Sequence, residues 1–340
     1  MHRRACRSTT PWTALVLIAA WGWLAGASPA DAQCRRVADS DAIRIDAKAL
    51  ARLDRIGMDR QKIFEALRDV SIPETGGCWA GATGNFDAQI VSVGVLQWNY
   101  GQNSLQPNLR RYRNSFDSRA AFDARVAALM PNHGRLIFSE GCLRPVITLE
   151  CKAAILALQD AGKLQPALAR EFDALFESDE MVQIQTDRFV ALVESVADDL
   201  TRLFPGEAAT PRRIKWAIDT KVQQGGFPGD EDISRIRKAW ADTPNDRRAQ
   251  KLNSLIRWYE ALATSVDQGG TRLDWEWNVA RWRQKIDANG ISDEQADLLH
   301  LTFLRSRIAS GQSGHWQALT FQRRATIILG LGSVAGHRRQ

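Results

Sequence analysis

Apolar residues recur at helical spacing along almost the whole chain, and this pattern limits the fold more than any other feature. One face of an α-helix returns about every 3.6 residues, so apolar residues at that spacing predict helices that bury one side. The segments with this pattern are Asp41–Ile56, Arg60–Val70, Arg119–Met130, Ile147–Ala161, Gln165–Phe176, Val182–Phe204, Arg212–Val222, Asp232–Trp240, Arg247–Ala263, Trp275–Ala288, Asp293–Ile308 and Trp316–Leu331. The sequence therefore predicts a mainly α protein, with glycines such as Gly162 and Gly225 between its helices.

The composition is that of a globular protein and not of a fibrous, disordered or multi-spanning membrane protein. Of the 340 residues, 44% are hydrophobic and 25% are charged, and the mean hydropathy is -0.30. No Cys-x-x-Cys or His-Glu-x-x-His spacing occurs, no glycine-rich loop continues into Gly-Lys-Ser/Thr, and the basic residues form no stripe. We therefore expect no metal, no cofactor and no nucleic-acid partner. The net charge is +6 for the whole chain and +4 without residues 1–32, and it favours anionic cell-wall polymers only weakly.

The first 32 residues have the layout of a cleaved signal peptide. Three arginines within the first seven residues form a basic start, and Thr13–Ala27 is an uncharged, mostly apolar stretch. Ala30 and Ala32 then place small side chains at the two positions that signal peptidase reads. Because a bilayer span needs about 20 apolar residues, we expect a periplasmic or secreted protein without stable membrane insertion after cleavage.

Four cysteines follow the predicted signal peptide: Cys34, Cys78, Cys142 and Cys151. An even number of cysteines in an exported chain favours disulfides, and four cysteines allow three pairings. Cys142 and Cys151 would close a short loop, which favours that pair. Cys34 and Cys78 would then tie the mature N-terminus to the segment after Glu74.

One segment, residues 74–104, breaks the helical pattern. It contains six glycines, several asparagines and serines, and short runs with β propensity. These features predict a small β-hairpin region near residues 79–99, inserted between helices. Irregular backbone carried on a rigid helical frame is where binding and catalytic residues concentrate.

Two carboxylates of this segment have contrasting surroundings. Glu74 follows Pro73 at a predicted helix end, with apolar Ile72 before it and Trp79 after it. Apolar surroundings favour the protonated form of a carboxyl group, which can then donate a proton. Asp87 lies in a polar turn and is expected to stay ionised. One proton donor and one ionised carboxylate are what glycosidic bond cleavage needs.

The residues after the hairpin add side chains that suit a sugar. Amide side chains can hydrogen-bond sugar hydroxyl and acetamido groups, and aromatic rings can stack on pyranose rings. Gly94 would allow a close approach of two backbone segments. The predicted substrate-binding side chains of the segment are Trp79, Ser92, Gln97, Trp98, Asn99, Tyr100 and Gln102.

This order of residues resembles the lysozyme-like superfamily, in particular goose-type lysozymes and lytic transglycosylases. In those proteins a catalytic glutamate ends a helix, and a β-like segment leads into a Gly-aliphatic-aliphatic-Gln motif. Glu74 and Gly94–Gln97 match this arrangement, and Asp87 matches the first acidic position of the goose-type pattern. The sequence departs at Asn99, where goose-type enzymes carry a second acid. The resemblance implies that Glu74 is the general acid and that Asp87 stabilises charge or positions water.

A second segment, Ala217–Gly226, resembles the helix end found in chitosanase-type members of the superfamily. In those members an aspartate in this position is followed by a helix and then by an arginine-rich helix. The resemblance implies that Asp219 is a buried structural or substrate-facing carboxylate. The C-terminal stretch Arg323–Gly332 is expected to close the fold as a last helix and turn, without chemistry of its own.

Together the two resemblances imply a signal peptide at residues 1–32 and one lysozyme-like domain at residues 33–340. Its catalytic core would span about residues 41–265 and a C-terminal helical part about residues 266–340. The expected activity is cleavage of a β-1,4-linked amino-sugar glycan, with peptidoglycan as the partner, by hydrolysis or by lytic transglycosylation. Two alternatives are a chitosanase-like hydrolase and a non-catalytic peptidoglycan-binding protein with the same fold.

Overall fold

Helices make up most of the structure, which confirms the mainly α fold class. The computed structural model describes residues 34–39, 43–85, 88–266, 274–309, 313–334 and 336–339. Its helices are α1 (Ala47–Asp54), α2 (Arg60–Thr75), α3 (Leu105–Arg113), α4 (Arg119–Leu129), α5 (Gly134–Ile137), α6 (Glu140–Leu143), α7 (Leu149–Leu156), α8 (Pro166–Phe176), α9 (Asp179–Leu203), α10 (Pro211–Gln224), α11 (Asp230–Ala241), α12 (Asn245–Val266), α13 (Trp275–Asp287), α14 (Asp293–Ser306) and α15 (Gly314–Leu329). Within these residues the strands pair into three antiparallel hairpins, β1 (Ser92–Val93) with β2 (Trp98–Asn99), β3 (Gln159–Asp160) with β4 (Lys163–Leu164), and β5 (Gly332–Val334) with β6 (His337–Arg339).

Short polar side chains explain where many of the helices begin. The Asp46 carboxylate accepts hydrogen bonds from the backbone N–H groups of Lys48 and Ala49 at the start of α1. Ser292 and Gln295 form a reciprocal capping box at the start of α14. Such caps satisfy N–H groups that have no partner within the helix. Glycines in the left-handed conformation end α2, α10 and α15.

Helix α2 continues past Val70, where its apolar pattern ends. Pro73 lies inside the helix, which runs to Thr75 and is capped by Gly76 with a φ of 67°. A proline removes one backbone hydrogen bond, but so close to the end of a helix the remaining turns can tolerate that loss. Glu74 therefore projects from the last turn of a helix and not from a loop.

One other helix boundary differs from the prediction, and one further helix was not predicted. The segment Ile147–Ala161 was predicted as one helix, but α7 ends at Leu156 and the chain then turns back through β3 and β4. Gly162 permits this turn because it has a φ of 77°. Helix α3 was not predicted. It contains Pro107 in its first turn, where proline is tolerated.

Buried apolar side chains form two clusters that one helix joins. The larger cluster contains side chains of α1, α2 and α10 to α15, and the smaller contains side chains of β1, β2 and α3 to α8. Helix α9 contributes Met181 and Ile184 to the smaller cluster and Phe189 and Val193 to the larger. Helices α13 to α15, which fall in the predicted C-terminal part, thus share a core with α1 and α2.

The hairpin predicted near residues 79–99 is present as β1 and β2, and it lies directly against α8 and α9. Gly94 has a φ of 78°, and a Cβ atom there would lie 2.5 Å from Gln185 Oε1 and 2.6 Å from the Phe176 ring. The same Gln185 oxygen accepts a hydrogen bond of 3.0 Å from the N–H of Val95. This close approach fixes the hairpin on the helical frame, next to the end of α2.

Two disulfides are present, between Cys34 and Cys78 and between Cys142 and Cys151. The first ties the start of the described chain to the end of α2, where Arg36 also forms a β-bridge with Cys78. Disulfides persist in oxidising compartments, which indicates a non-cytoplasmic protein. Within the described residues, no helix combines the length and the apolar character that a membrane span requires.

We expect Gly94→Ala to destabilise the fold strongly. The added Cβ would clash with Gln185 and Phe176, and a positive φ adds strain, so the free energy of unfolding should fall by about 2–4 kcal/mol. Gly225→Ala is the matched control, because Gly225 has a φ of 71° but open space around it, and it should cost about 1–2 kcal/mol. Urea unfolding followed by circular dichroism measures both values, and equal losses would contradict the close approach.

Candidate active site around Glu74

Glu74 lies in a partly buried position where the last turn of α2 meets α15. Its side chain is 15% exposed, and its Oε1 atom is 2.6 Å from Nη2 of Arg323. Among the residues that the structure describes, Arg323 is the one charged partner of this carboxylate. The candidate acid is therefore oriented by a fixed positive charge and still keeps some contact with solvent.

Arg323 is held from its other side by Asp219, which lies on α10. Nε and Nη2 of Arg323 both donate hydrogen bonds to Asp219 Oδ1, at 3.0 and 2.7 Å. The second carboxylate oxygen, Oδ2, accepts a bond of 3.0 Å from Nε of Arg324. We refer to Glu74, Arg323, Asp219 and Arg324 as the buried charge network, because the last three side chains are at most 4% exposed.

The end of α10 completes the network with two amide side chains. Nη1 of Arg324 donates to Gln224 Oε1 at 2.7 Å, and Nη2 donates to Gln223 Oε1 at 3.0 Å. Successive residues of a helix point about 100° apart, so neighbouring arginines on α15 can reach both oxygens of one carboxylate on the facing helix. Every charged group in this interior therefore has a hydrogen-bonding partner, as buried charges require.

Burial disfavours charge on these side chains, and the opposite charges around them counter it. Burial acts to raise the pKa of Asp219, but Arg323 and Arg324 outweigh it and hold that pKa below its usual value. Burial acts to lower the pKa of Arg323, but Asp219 and Glu74 outweigh it and raise that pKa. For Arg324 burial prevails and its pKa falls to about 10, which still leaves the side chain charged at neutral pH.

The surroundings of Glu74 differ from those that the sequence predicted. Apolar neighbours such as Trp79 were expected to keep its carboxyl group uncharged, but its nearest partner is a buried guanidinium. Trp79 is instead fully buried in the larger core. The apolar residues around position 74 belong to the packing of α2 and do not surround the carboxyl group itself.

The arginines on α15 were missed, because the C-terminal stretch from Arg323 was expected to carry no chemistry. Arg323 and Arg324 are adjacent and precede a largely apolar stretch, Ala325–Leu329, that is buried as well. Arginine is almost never buried without a partner of opposite charge. Two arginines at the start of such a stretch were therefore a sequence signal for a buried carboxylate elsewhere in the chain.

Gln97 connects the hairpin to the end of α2. Its Nε2 atom donates to the backbone oxygen of Gly94 at 3.0 Å and lies 3.5 Å from the backbone oxygen of Glu74. Gln97 also has a φ of 47°. The structure thus brings the Gly-Val-Leu-Gln segment next to the candidate acid, and the contact is made by the backbone of Glu74.

The predicted stacking residues do not offer their rings to a substrate. Trp79 and Tyr100 are at most 1% exposed, and Trp98 packs edge-on against Phe176 with the ring centres 6.1 Å apart. A ring can stack on a sugar only through an open face, so this part of the prediction is corrected: all three side chains are core residues. Burial also raises the pKa of Tyr100.

Of the polar side chains predicted to bind the substrate, Asn99 and Ser92 are buried, whereas Gln102 is exposed. Asn99 is buried and stabilises a turn, since its Oδ1 accepts a hydrogen bond of 2.7 Å from the N–H of Gln102. Ser92 is buried, and its backbone pairs with Thr83. Gln102 is exposed, and its side chain is the one of these three that faces solvent. Asp87 lies outside the described residues, so its role stays a prediction.

Comparisons with known proteins do not assign the chain to a family. No family model, curated protein or solved structure matches it. Within the described ranges, no three His, Cys, Asp or Glu side chains lie close enough together to hold a metal ion. The chemistry of the site therefore has to be argued from its geometry.

Asp219→Asn should destabilise the protein strongly, because it leaves buried Arg324 without a carboxylate partner and Arg323 with Glu74 alone. We expect the free energy of unfolding to fall by about 3–5 kcal/mol in urea titrations at neutral pH. Asp123→Asn on α4 is the control, since Asp123 pairs with Arg119 on an exposed surface and should change stability very little. Equal effects of the two changes would contradict the buried network.

The loss of unfolding free energy caused by Asp219→Asn should also depend on pH, and the direction follows from the pKa of Asp219. An unfolded aspartate has a pKa of about 3.9, and the folded pKa of Asp219 is lower. Its stabilisation is therefore complete above about pH 4 and is lost as the pH falls through the folded pKa. The difference between wild type and variant should stay constant from about pH 8 to pH 5 and shrink only below about pH 4.

Proposed function

We propose that this protein cleaves β-1,4 bonds in an amino-sugar glycan of the cell wall, with peptidoglycan as the substrate and Glu74 as the general acid. The observation that carries the proposal is the placement of Glu74: a partly exposed carboxylate at a helix end, oriented by Arg323 and adjacent to the Gly-Val-Leu-Gln segment. A proton donor in glycosidic cleavage has to be both oriented and reachable by the bridging oxygen.

The ion pair with Arg323 is compatible with proton transfer because Asp219 shares the same guanidinium. Asp219 takes hydrogen bonds from both Nε and Nη2 of Arg323 and compensates part of its charge, the rest of the carboxylate being shared with Arg324. A shared arginine orients Glu74 at a smaller cost to the protonated carboxyl group than an unshared arginine would impose. In the proposed reaction Glu74 gives its proton to the bridging oxygen, and Arg323 then stabilises the carboxylate that forms.

The second step of the reaction has two routes. If Asp87 faces the substrate, it stabilises positive charge on the sugar or positions a water molecule, and the products carry reducing ends. If Asp87 faces away, a hydroxyl group of the sugar itself attacks, and the products carry anhydro ends. Gln97 and Gln102 are the two predicted binding residues that are not buried, and we assign sugar contacts to them.

Peptidoglycan is favoured over other glycans by the predicted location and by charge. The signal-peptide layout and the two disulfides support export to the periplasm or medium, where peptidoglycan is accessible. The resemblance to goose-type lysozymes and lytic transglycosylases points to the same substrate. A chitosanase-like activity would need an acidic surface for its cationic substrate, whereas arginines line the surface next to Glu74.

One observation favours a second candidate, a non-catalytic protein that binds peptidoglycan. Glu74 is engaged by a buried arginine, and Trp79, Trp98 and Tyr100 are core residues. A protein that had kept the fold and lost turnover would show both features. It would bind purified cell walls and release neither reducing ends nor anhydro sugars.

Glu74→Gln is expected to lower the release of glycan ends from purified cell walls by about 10²–10⁴-fold, because glutamine has no acidic proton to transfer. Glutamine keeps an oxygen that can accept a hydrogen bond from Arg323, so the fold should persist. Mass spectrometry of the released products measures the rate and separates reducing from anhydro ends.

Glu65→Gln provides the matched control for this variant. Glu65 lies on the same helix, α2, and pairs with Lys215 at 3.2 Å, away from the buried charge network. Its replacement should leave the rate of release unchanged. Full activity of Glu74→Gln would refute the assignment of the general acid, and wild-type binding without any product would establish the non-catalytic alternative.

A further inference from the structure

A pocket of about 340 Å³ opens beside the buried charge network. Its walls come from three elements that are distant in sequence: α2, α15 and the C-terminal hairpin of β5 and β6. Asp219 and Arg323 both line it. Pockets of this volume are at the small end of those that bind ligands and suit one sugar residue or a short substituent.

Two arginines at the pocket form no ion pair with the residues that the structure describes. They are Arg68 on α2 and Arg338 on β6, and both are exposed. The position of Arg338 is supported by Trp277, whose ring centre lies 5.4 Å from the guanidinium carbon.

The acidic residues at the pocket are already compensated by cations. Asp219 is bound by Arg323 and Arg324. Asp69 lies 3.4 Å from Nζ of Lys215. The pocket therefore presents a net positive charge to a ligand, and the guanidinium groups of Arg68 and Arg338 are its exposed charged donors.

The other lining residues are four apolar side chains together with Thr326 and His337. The apolar ones are Ile72 and Pro73 of α2, Ile327 of α15 and Val334 of β5. A guanidinium rim around apolar side chains suits a ligand that has a carboxylate on a short aliphatic substituent. A bare inorganic anion would leave the apolar part of the pocket unused.

The pocket is adjacent to the candidate acid. Pro73 lines it and directly precedes Glu74, and Arg323 lines it and contacts the Glu74 carboxylate at 2.6 Å. A glycan held at Glu74 would therefore bring the substituents of its sugars to Arg68 and Arg338. In peptidoglycan every second sugar carries a lactyl group with a methyl group and a carboxyl group that is extended into a carboxylate-bearing peptide.

We propose that this pocket binds the carboxylate-bearing substituent of peptidoglycan, with Arg68 and Arg338 as its carboxylate ligands. The inference rests on the proposed function for the identity of the polymer, and it adds a site that selects substituted over bare glycan. Ile72, Pro73, Ile327 and Val334 contact the aliphatic part of the substituent. The guanidinium groups pair with the carboxylate, as arginine does where planar anions are recognised.

The test measures binding separately from cleavage. The Glu74→Gln protein is titrated by calorimetry with a soluble disaccharide-peptide fragment of peptidoglycan, and with the same fragment after its carboxylates have been amidated. The fragment with free carboxylates should bind at least about tenfold more tightly, because two charge-assisted contacts are lost on amidation. In the same background, Arg68→Ala/Arg338→Ala should remove this difference.

Arg247→Ala/Arg257→Ala is the control with the same change in charge. Both arginines are exposed and line a separate pocket on α12, and their replacement should leave the preference for the free carboxylates intact. The proposal is overturned if the two fragments bind equally, if neither binds, or if the two double variants behave alike. Cleavage by the wild-type protein is measured in parallel, so a protein that binds through Arg68 and Arg338 but does not cleave would refute the proposed function alone.

Discussion

The rest of the site depends on Asp219, a carboxylate in the protein interior between two arginines. Without it, only the single carboxylate of Glu74 would remain for two buried arginines, and Arg324 would have no carboxylate partner, a cost comparable with a large part of the stability of a folded domain. With it, Arg323 is fixed from one side and its Nη2 atom is directed at Glu74. The orientation of the candidate acid is therefore set by residues of α10 and α15, and not by its own neighbours in the sequence.

The two hydrophobic cores explain how this arrangement is kept rigid. Helix α2 belongs to the larger core, whereas the β1–β2 hairpin belongs to the smaller one, and α9 joins the two. Glu74 and Gln97 meet where these parts come together. The disulfide between Cys34 and Cys78 fastens the chain directly after α2. The end of α2 is thus held by covalent, electrostatic and packing constraints at once, which suits a residue whose position decides its chemistry.

Local patterns in the sequence predicted most of the longer helices and the β1–β2 hairpin, because both follow from the spacing of apolar residues and glycines. The resemblance to lysozyme-like proteins implied that Glu74 lies near Gln97, and Gly94 was expected to allow a close approach of the backbone. Neither the patterns nor the resemblance predicted the ion pair of Glu74 with Arg323, since the partners come from helices far apart in the chain. Aromatic residues such as Trp79 were predicted to stack on sugars, because periodicity cannot distinguish a ring in the core from a ring at a cleft. Tertiary packing decides both the partner of Glu74 and the exposure of the aromatic rings.

The most direct test of this account is a double-mutant cycle between Glu74→Gln and Asp219→Asn, with the free energy of unfolding measured for each single variant and for the pair. The two carboxylates contact the same guanidinium, so the account predicts a coupling energy of about 1 kcal/mol or more. If the two effects add within about 0.3–0.5 kcal/mol, Arg323 does not connect the two residues. The central claim, that a buried aspartate on α10 positions Glu74 through Arg323, would then be wrong.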